Sequence, residues 1–200
     1  MQLIMSPPSP YARKARVVLR ETGLIDRVEE VQVSTSPMNS AAEILAANPT
    51  GKIPALVRND GPAIYDSRVI TRYLNDKANA DLYPARALYE VLTLEATADA
   101  IMDAAIGMVY EMRFRPEAQQ SPEWLDAQWG KAERAIAAVN SRWMSHLNGP
   151  LNAAQIAISC ALAYVDLRHD ARGWRTGNDA LAAWQETFSA RASMVDTSPA

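Results

Sequence analysis

The stretch Ser6-Pro-Pro-Ser-Pro-Tyr-Ala-Arg-Lys14 decides how the chain begins to fold. Before it, Gln2-Leu-Ile-Met5 reads as a short buried strand; after it, Ala12, Ala15, Val18 and Leu19 keep a helical spacing. Ser9-Pro10 fits an N-cap followed by the first helical position. The serine oxygen accepts an otherwise orphaned amide, while proline has a φ suited to the first turn and no N–H to leave unmatched. Ser9 thus stands where a strand ends and a helix begins, and a helix N-terminus favours anions. With the amides of Tyr11 and Ala12 expected to be free, a thiolate or carboxylate would be stabilised beside the Ser9 hydroxyl. An isolated Ser-Pro of this kind reads first as a simple cap, so the weight of a ligand role rests on the residues that follow.

Gly23 suits the left-handed position that closes the first helix, and Val28-Glu-Glu-Val-Gln-Val33 has strand character. Ala41, Ala42, Ile44 and Leu45 predict a short second helix closed by Asn48-Pro-Thr-Gly51. Ile53-Pro-Ala-Leu-Val57 and Ala63-Ile-Tyr65 flank the turn signal Asn59-Asp-Gly-Pro62 and predict an antiparallel hairpin. Asp66 or Ser67 then caps a helix carrying Val69, Ile70, Tyr73 and Leu74. The order is an α/β domain, βαβαββα, over residues 1–77, followed by a polar, alanine-rich linker at 78–86 and an all-α bundle over 87–200. Within the bundle, long helices are expected over Ala87 to Arg115, Trp124 to Leu147, Asn152 to Leu167 and Leu181 to Arg191.

Composition narrows the function classes. A chain of 200 residues with net charge −3 lacks the basic balance of a general nucleic-acid binder. The lone Cys160 precludes an intrachain disulfide or a thiolate metal cluster, and the two distant histidines, His146 and His169, add little to a metal site. No run approaches the ~20 apolar residues of a membrane span, and the first five residues are too short for a signal-peptide core. A reducing cytoplasm is the expected compartment.

The domain order, together with three local stretches, resembles the cytosolic glutathione transferases, whose thioredoxin-like domain precedes a helical bundle. Asn48-Pro-Thr-Gly-Lys-Ile-Pro-Ala-Leu56 is similar to the family's loop leading to a cis-proline. Tyr65-Asp-Ser-Arg-Val-Ile-Thr-Arg-Tyr-Leu74 is similar to its acidic-serine helix start, and Leu181-Ala-Ala-Trp-Gln-Glu-Thr-Phe-Ser-Ala-Arg191 to its C-terminal helix. Ser9-Pro-Tyr-Ala12 lies where the related glutaredoxins carry Cys-Pro-Tyr-Cys, so dithiol exchange at this position is excluded.

The resemblance implies that Ser9 is catalytic, hydrogen-bonding the sulfur of glutathione, which is a co-substrate; no metal is implied. A cis Pro54 would present the Ile53 backbone to the cysteinyl part of the tripeptide as an added strand would. Asp66 and Ser67 would receive the γ-glutamyl amine and carboxylate, with Lys52 and Asn39 as further polar contacts. The partner is a small hydrophobic electrophile, held between the domains by Pro8, Tyr11, Met108, Met112 and Arg113, although the same methionines suit the bundle core. A homodimer is implied, and neither nucleic acid nor membrane is expected as a partner. A non-catalytic binding or stress-regulatory protein, or a glutathione-dependent lyase or peroxidase, remain alternatives on the same fold.

Three further readings concern structure. Arg13, Arg16 and Arg20 share one helix face with Lys14 nearby, a pattern usually found on solvated surface. Asn152-Ala-Ala-Gln155 preserves both partners of a capping box. Arg191-Ala-Ser193 departs from the family's common Arg-Pro-Ser, which leaves the end of the last helix open.

Overall fold

The computed structural model describes residues 1–199, which fall into two compact units: Met1–Leu88 together with the C-terminal residues from Arg191 onward, and Tyr89–Ala190. The first unit is built on a three-stranded mixed sheet of order β2-β1-β3, with β1 at Gln2–Met5, β2 at Glu29–Gln32 and β3 at Ala55–Val57. Strand β1 runs parallel to β2, pairing Gln2 with Glu29 through Met5 with Gln32, and antiparallel to β3, pairing Gln2 with Val57 through Ile4 with Ala55. Its central place explains its composition. Leu3, Ile4 and Met5 are all buried, as a strand covered on both faces requires.

Helix α1 (Pro10–Glu21) connects the two parallel strands and stops where Gly23 adopts φ +67°, a conformation that costs glycine nothing. Ile44 of α2 (Ala42–Ala47) packs with Ile4, Val33 and Ala55. Helix α3 (Ser67–Ala78) follows, closed by Asn79 in the left-handed region. The expected hairpin is reduced to one bridge, Leu56 with Ile64, because Pro62 has no N–H to extend the ladder and residue 66 already caps α3. Arg58 closes the intervening turn by donating Nε to the Pro62 carbonyl at 2.9 Å.

The basic face of α1 is not solvated. Arg13, Lys14 and Arg16 are 6, 1 and 8 % exposed, which corrects the surface reading of that cluster. For Arg13 and Arg16 the partners come from the chain's end. The last long helix stops at Ser189, and a separate short helix, α9 (Ala192–Asp196), lies with the first unit. Arg191 makes a two-pronged contact with Glu21 at 3.0 and 2.9 Å, and the Ser193 hydroxyl donates to the same carboxylate. Glu30 accepts from Arg16 at 3.0 Å and Arg20 at 2.7 Å. Burial works to raise the Glu21 and Glu30 carboxyls, but the hydrogen bonds and charges of these arginines outweigh it and hold both below their ordinary value.

The second unit is helical: α4 (Leu88–Phe114), α5 (Pro122–Arg142), α6 (Met144–Leu147), α7 (Ala153–His169) and α8 (Asp179–Ser189), with α9 completing the chain order. Helix α7 is its axis, buried almost without interruption from Ala153 to Leu162, and Cys160 is among its fully buried residues. The predicted capping box is present. Asn152 Oδ1 accepts from the Ala154 and Gln155 amides at 3.0 and 3.3 Å, and Gln155 Oε1 accepts from the Asn152 amide at 2.8 Å. The helix expected to run unbroken to Leu147 breaks at Trp143. The break places the Leu147 carbonyl where Gln155 Nε2 and Trp184 Nε1 both donate to it, at 2.8 and 2.9 Å.

His169, 6 % exposed at the end of α7, donates Nε2–H to the Ala105 carbonyl at 2.9 Å. Burial is the main cause that lowers its pKa below 6.5, since the charged ring cannot be hydrated there. The folded chain therefore resists the proton that the unfolded chain accepts. Stability present above about pH 6.5 should decline as pH falls below that value toward the lowered folded pKa. His169→Gln, which keeps a donor for Ala105, should flatten the thermal-melt pH profile in that window; an unchanged slope would locate the sensitivity elsewhere.

Candidate active site

Strand register gathers the predicted residues of the first unit. Because Ile4 pairs with Ala55, the chain leaving β1 toward Ser9 runs beside the chain entering β3 through Ile53-Pro54. The Leu56–Ile64 bridge likewise sets Asp66-Ser67 at this end, and the parallel register of β2 sends the loop carrying Asn39 out at the same end. One end of a small sheet thus holds two helix N-termini and a cis-proline loop.

Ser9 caps α1 in an extended conformation, φ −78° and ψ 119°, with Pro10 at the first helical position. Its Oγ accepts from the Ala12 amide at 3.2 Å, which corrects the expectation that this amide is free: it is spent on the cap. The bond uses a lone pair of the oxygen and leaves the hydroxyl proton as a donor. The Ser9 carbonyl in turn accepts from the Arg13 amide at 2.9 Å. Ser9, Pro8 and Tyr11 are all partly exposed.

The Ile53–Pro54 peptide is cis, as the resemblance implies, and the Tyr65–Asp66 peptide is also cis. No hydrogen bond to the Ile53 amide or carbonyl occurs among the described residues, so both are open to an extended ligand. The preceding loop is held by Asn48, which is 2 % exposed. Its Oδ1 accepts from the Thr50 amide at 3.0 Å and hydroxyl at 2.8 Å, and its Nδ2 donates to the Lys52 carbonyl at 2.7 Å. Gly51 is required here. Its φ is +69°, and a Cβ would stand 2.6 Å from Ser40 Oγ.

Asp66 is the N-cap of α3: Oδ1 accepts from the Arg68 amide at 3.0 Å, and Oδ2 meets the Arg68 guanidinium at 3.3 Å in an exposed pair. Ser67, the first helical residue, is 3 % exposed. Lys52 and Asn39 are exposed, the latter in a turn where its amide bonds Ser36. In α4 of the second unit, Met108 is 1 % exposed within the helical core, Met112 is 43 % exposed, and the exposed Arg113 lies 5.5 Å from the Phe114 ring centre. Among the described residues no group of three or more His, Cys, Asp or Glu is placed to hold a metal ion, and no helix is long and apolar enough to cross a membrane.

A thioredoxin-like unit whose cis-proline loop and two capped helices share one sheet end, followed by a helical unit, is the two-part architecture of the glutathione transferase fold. The comparisons make the assignment specific. Residues 8–77 match the family model of the glutathione S-transferase N-terminal domain, and residues 122–186 that of the C-terminal domain. The chain is 32 % identical, over its whole length and 98 % of that protein, to the uncharacterized GST-like protein YibF of Escherichia coli (strain K12). Two structures of a glutathione transferase family member from Pseudomonas fluorescens Pf-5 are similar over the whole of this chain. One, with bound glutathione, is 40 % identical at a TM-score of 0.97 with 98 % of its chain covered. The other, with bound S-(propanoic acid)-glutathione, is 39 % identical at 0.92 with 100 % covered. This chain belongs to the glutathione transferase family.

The arginines of α1 and their C-terminal partners were missed by sequence reasoning. The only signal was the combination of an Arg13/Arg16/Arg20 face with the polar end Arg191-Ala-Ser193, which nothing local links.

Both caps carry stability of their own. Ser9→Ala and Asp66→Ala should each lower unfolding free energy by about 1 kcal/mol, whereas Asp66→Asn should stay near the parent, since asparagine caps as well as aspartate. Denaturant midpoints at constant m-value measure this; an unaffected Ser9→Ala midpoint would contradict the cap geometry.

Proposed function

We propose that the protein is a glutathione transferase in which Ser9 activates the glutathione sulfur for attack on a small hydrophobic electrophile. The observation that carries this reading is the Ser9 hydroxyl, fixed by its bond from Ala12 with its proton left to donate, at the N-terminus of a twelve-residue helix. A free thiol near pKa ~8.5 is a few per cent ionised at neutral pH, and lowering it by two units takes roughly 2.7 kcal/mol. A hydrogen bond to a charged group supplies about 1.5–3 kcal/mol and a helix terminus about 0.3–1. Together they suffice without a histidine or a metal.

In this reading the γ-glutamyl end lies at the N-terminus of α3, its carboxylate on Ser67 and its ammonium by Asp66, while the cysteinyl backbone pairs with Ile53 next to cis-Pro54. Lys52 and Asn39 serve the remaining carboxylate end. The thiol proton leaves to solvent, the thiolate forms the carbon–sulfur bond, and the electrophile's leaving group departs with its electron pair. Pro8 and Tyr11 are assigned to the electrophile. Met112 and Arg113 are the exposed candidates of α4, and Met108, expected in the substrate pocket, is corrected to the helical core, where it is 1 % exposed. That a relative is seen with S-(propanoic acid)-glutathione, a thioether of the kind such a step forms, favours a conjugating reaction over a purely binding role. A homodimer in a reducing cytoplasm, disposing of reactive electrophiles, completes the proposal. The exposed apolar side chains Tyr89 (81 %) and Met38 (78 %) are in keeping with the dimer, and light scattering at monomer mass would refute it.

Calorimetric titration with glutathione, beside conjugation of an aryl halide, tests the reading. Binding is expected, with Ser9→Ala raising the pKa of the bound thiol and lowering turnover about tenfold or more, the loss of one charge-assisted hydrogen bond. Unchanged thiol pKa and turnover in that variant would remove Ser9 from the mechanism. Absence of glutathione binding by the parent chain would leave the non-catalytic alternative.

A further inference from the structure

We infer that Arg13 is a positioning residue for Ser9, and that residues 191–197 are a clamp that sets the active-site end of α1. The inference rests on the catalytic reading of Ser9. Arg13 lies one turn beyond Ser9, and its amide donates to the Ser9 carbonyl at 2.9 Å. Its side chain does not reach toward that end of the sheet. Nη2 donates to the Met194 carbonyl at 2.9 Å and Nε to Thr197 Oγ1 at 3.4 Å, both buried. Arg16, on the next turn, donates Nη1 to the Thr197 carbonyl at 3.5 Å while Glu30 holds its Nε at 3.0 Å.

These contacts have an order along the helix. Arg191 and Ser193 hold Glu21, the last residue of α1, whereas Thr197 meets Arg16 and Arg13 near its start. The tail therefore runs back along α1, from the helix C-terminus toward the turn that carries the catalytic hydroxyl. It is sequestered rather than draped: Met194 is 1 % exposed, Thr197 0 % and Ser193 6 %. Thr197 also donates to the Ser193 carbonyl at 2.8 Å, so the clamp is internally fixed. A guanidinium this deeply buried costs free energy unless its donors are matched, and here the tail supplies the acceptors. A solvated arginine would have served helix stability equally well. What burial adds is a fixed axial position for the first turns of α1, and misplacement of a catalytic group by about 1 Å can cost a hundredfold in rate.

The other glutathione contacts lie on separate elements, the cis-proline loop and α3, which gives the inference a distinctive signature. Arg13→Met and Thr197→Val, the second being the milder change, should each raise the pKa of bound glutathione thiol and lower kcat by about fivefold or more, with glutathione Kd within about twofold of the parent. Arg13→Lys, able to keep one of the two tail contacts, should fall between. All are assayed where circular dichroism shows a fully folded chain, with Ser9→Ala alongside. Parent-like thiol pKa and kcat in both Arg13→Met and Thr197→Val, with Ser9→Ala impaired, would overturn the clamp while sparing Ser9. Weakened glutathione binding at unchanged thiol pKa would also overturn it, since that is the mark of general loosening. A Ser9→Ala enzyme that behaves as the parent would overturn both readings at their common root.

Discussion

Everything at the candidate site depends on the pairing of one four-residue strand. β1 is hydrogen-bonded to β2 on one side and β3 on the other, in opposite senses, so the exits from β1 and β2 and the entry to β3 are forced to the same end of the sheet. Shifting any pairing by one residue would turn Leu3 and Met5 to the other face and would misalign Ser9 with Pro54. The candidate residues are gathered at this end because three loops meet there, each limited in length and each leading into or out of a rigid element.

The exit from β1 ends in the Ser9 cap, and the chain leaving the Leu56–Ile64 bridge ends in a second cap, at Asp66. Ser9 and Asp66 each match one amide of the helix that follows, and the positive ends of α1 and α3 that they cap favour anionic groups. A cap is normally the end of the account for such a residue. At this sheet end it also anchors the side chain: the Ser9 oxygen accepts the Ala12 amide and keeps its proton as a donor.

Buried polar groups fix the rest of the structure. In the first unit Arg13 and Arg16 of α1 find acceptors in the C-terminal segment and in Glu30, so the first helix is joined to residues 194–197 across 181 and 184 residues of sequence separation. In the second unit Gln155 serves both its own capping box and the Leu147 carbonyl, and His169 ties α7 to α4 at Ala105. Each of these bonds would leave a costly orphan if its partner moved, which is how polar groups in a core select a single arrangement.

Sequence by itself determined the local events. Ser9-Pro10, Asp66-Ser67 and the Asn152/Gln155 pair announce helix starts because capping depends on residues within one turn, and apolar periodicity placed α1, α3, α4 and α7 because burial repeats with the helix. Motif resemblance added the cis bond at Pro54, which spacing alone does not reveal. Tertiary structure alone decided the shortening of the hairpin to one bridge, the break at Trp143 and the burial of Arg13, Lys14 and Arg16. A guanidinium is read as solvated until an acceptor is known to lie opposite, and those acceptors, Met194 and Thr197, are supplied by a segment whose position follows from the packed whole rather than from any local pattern.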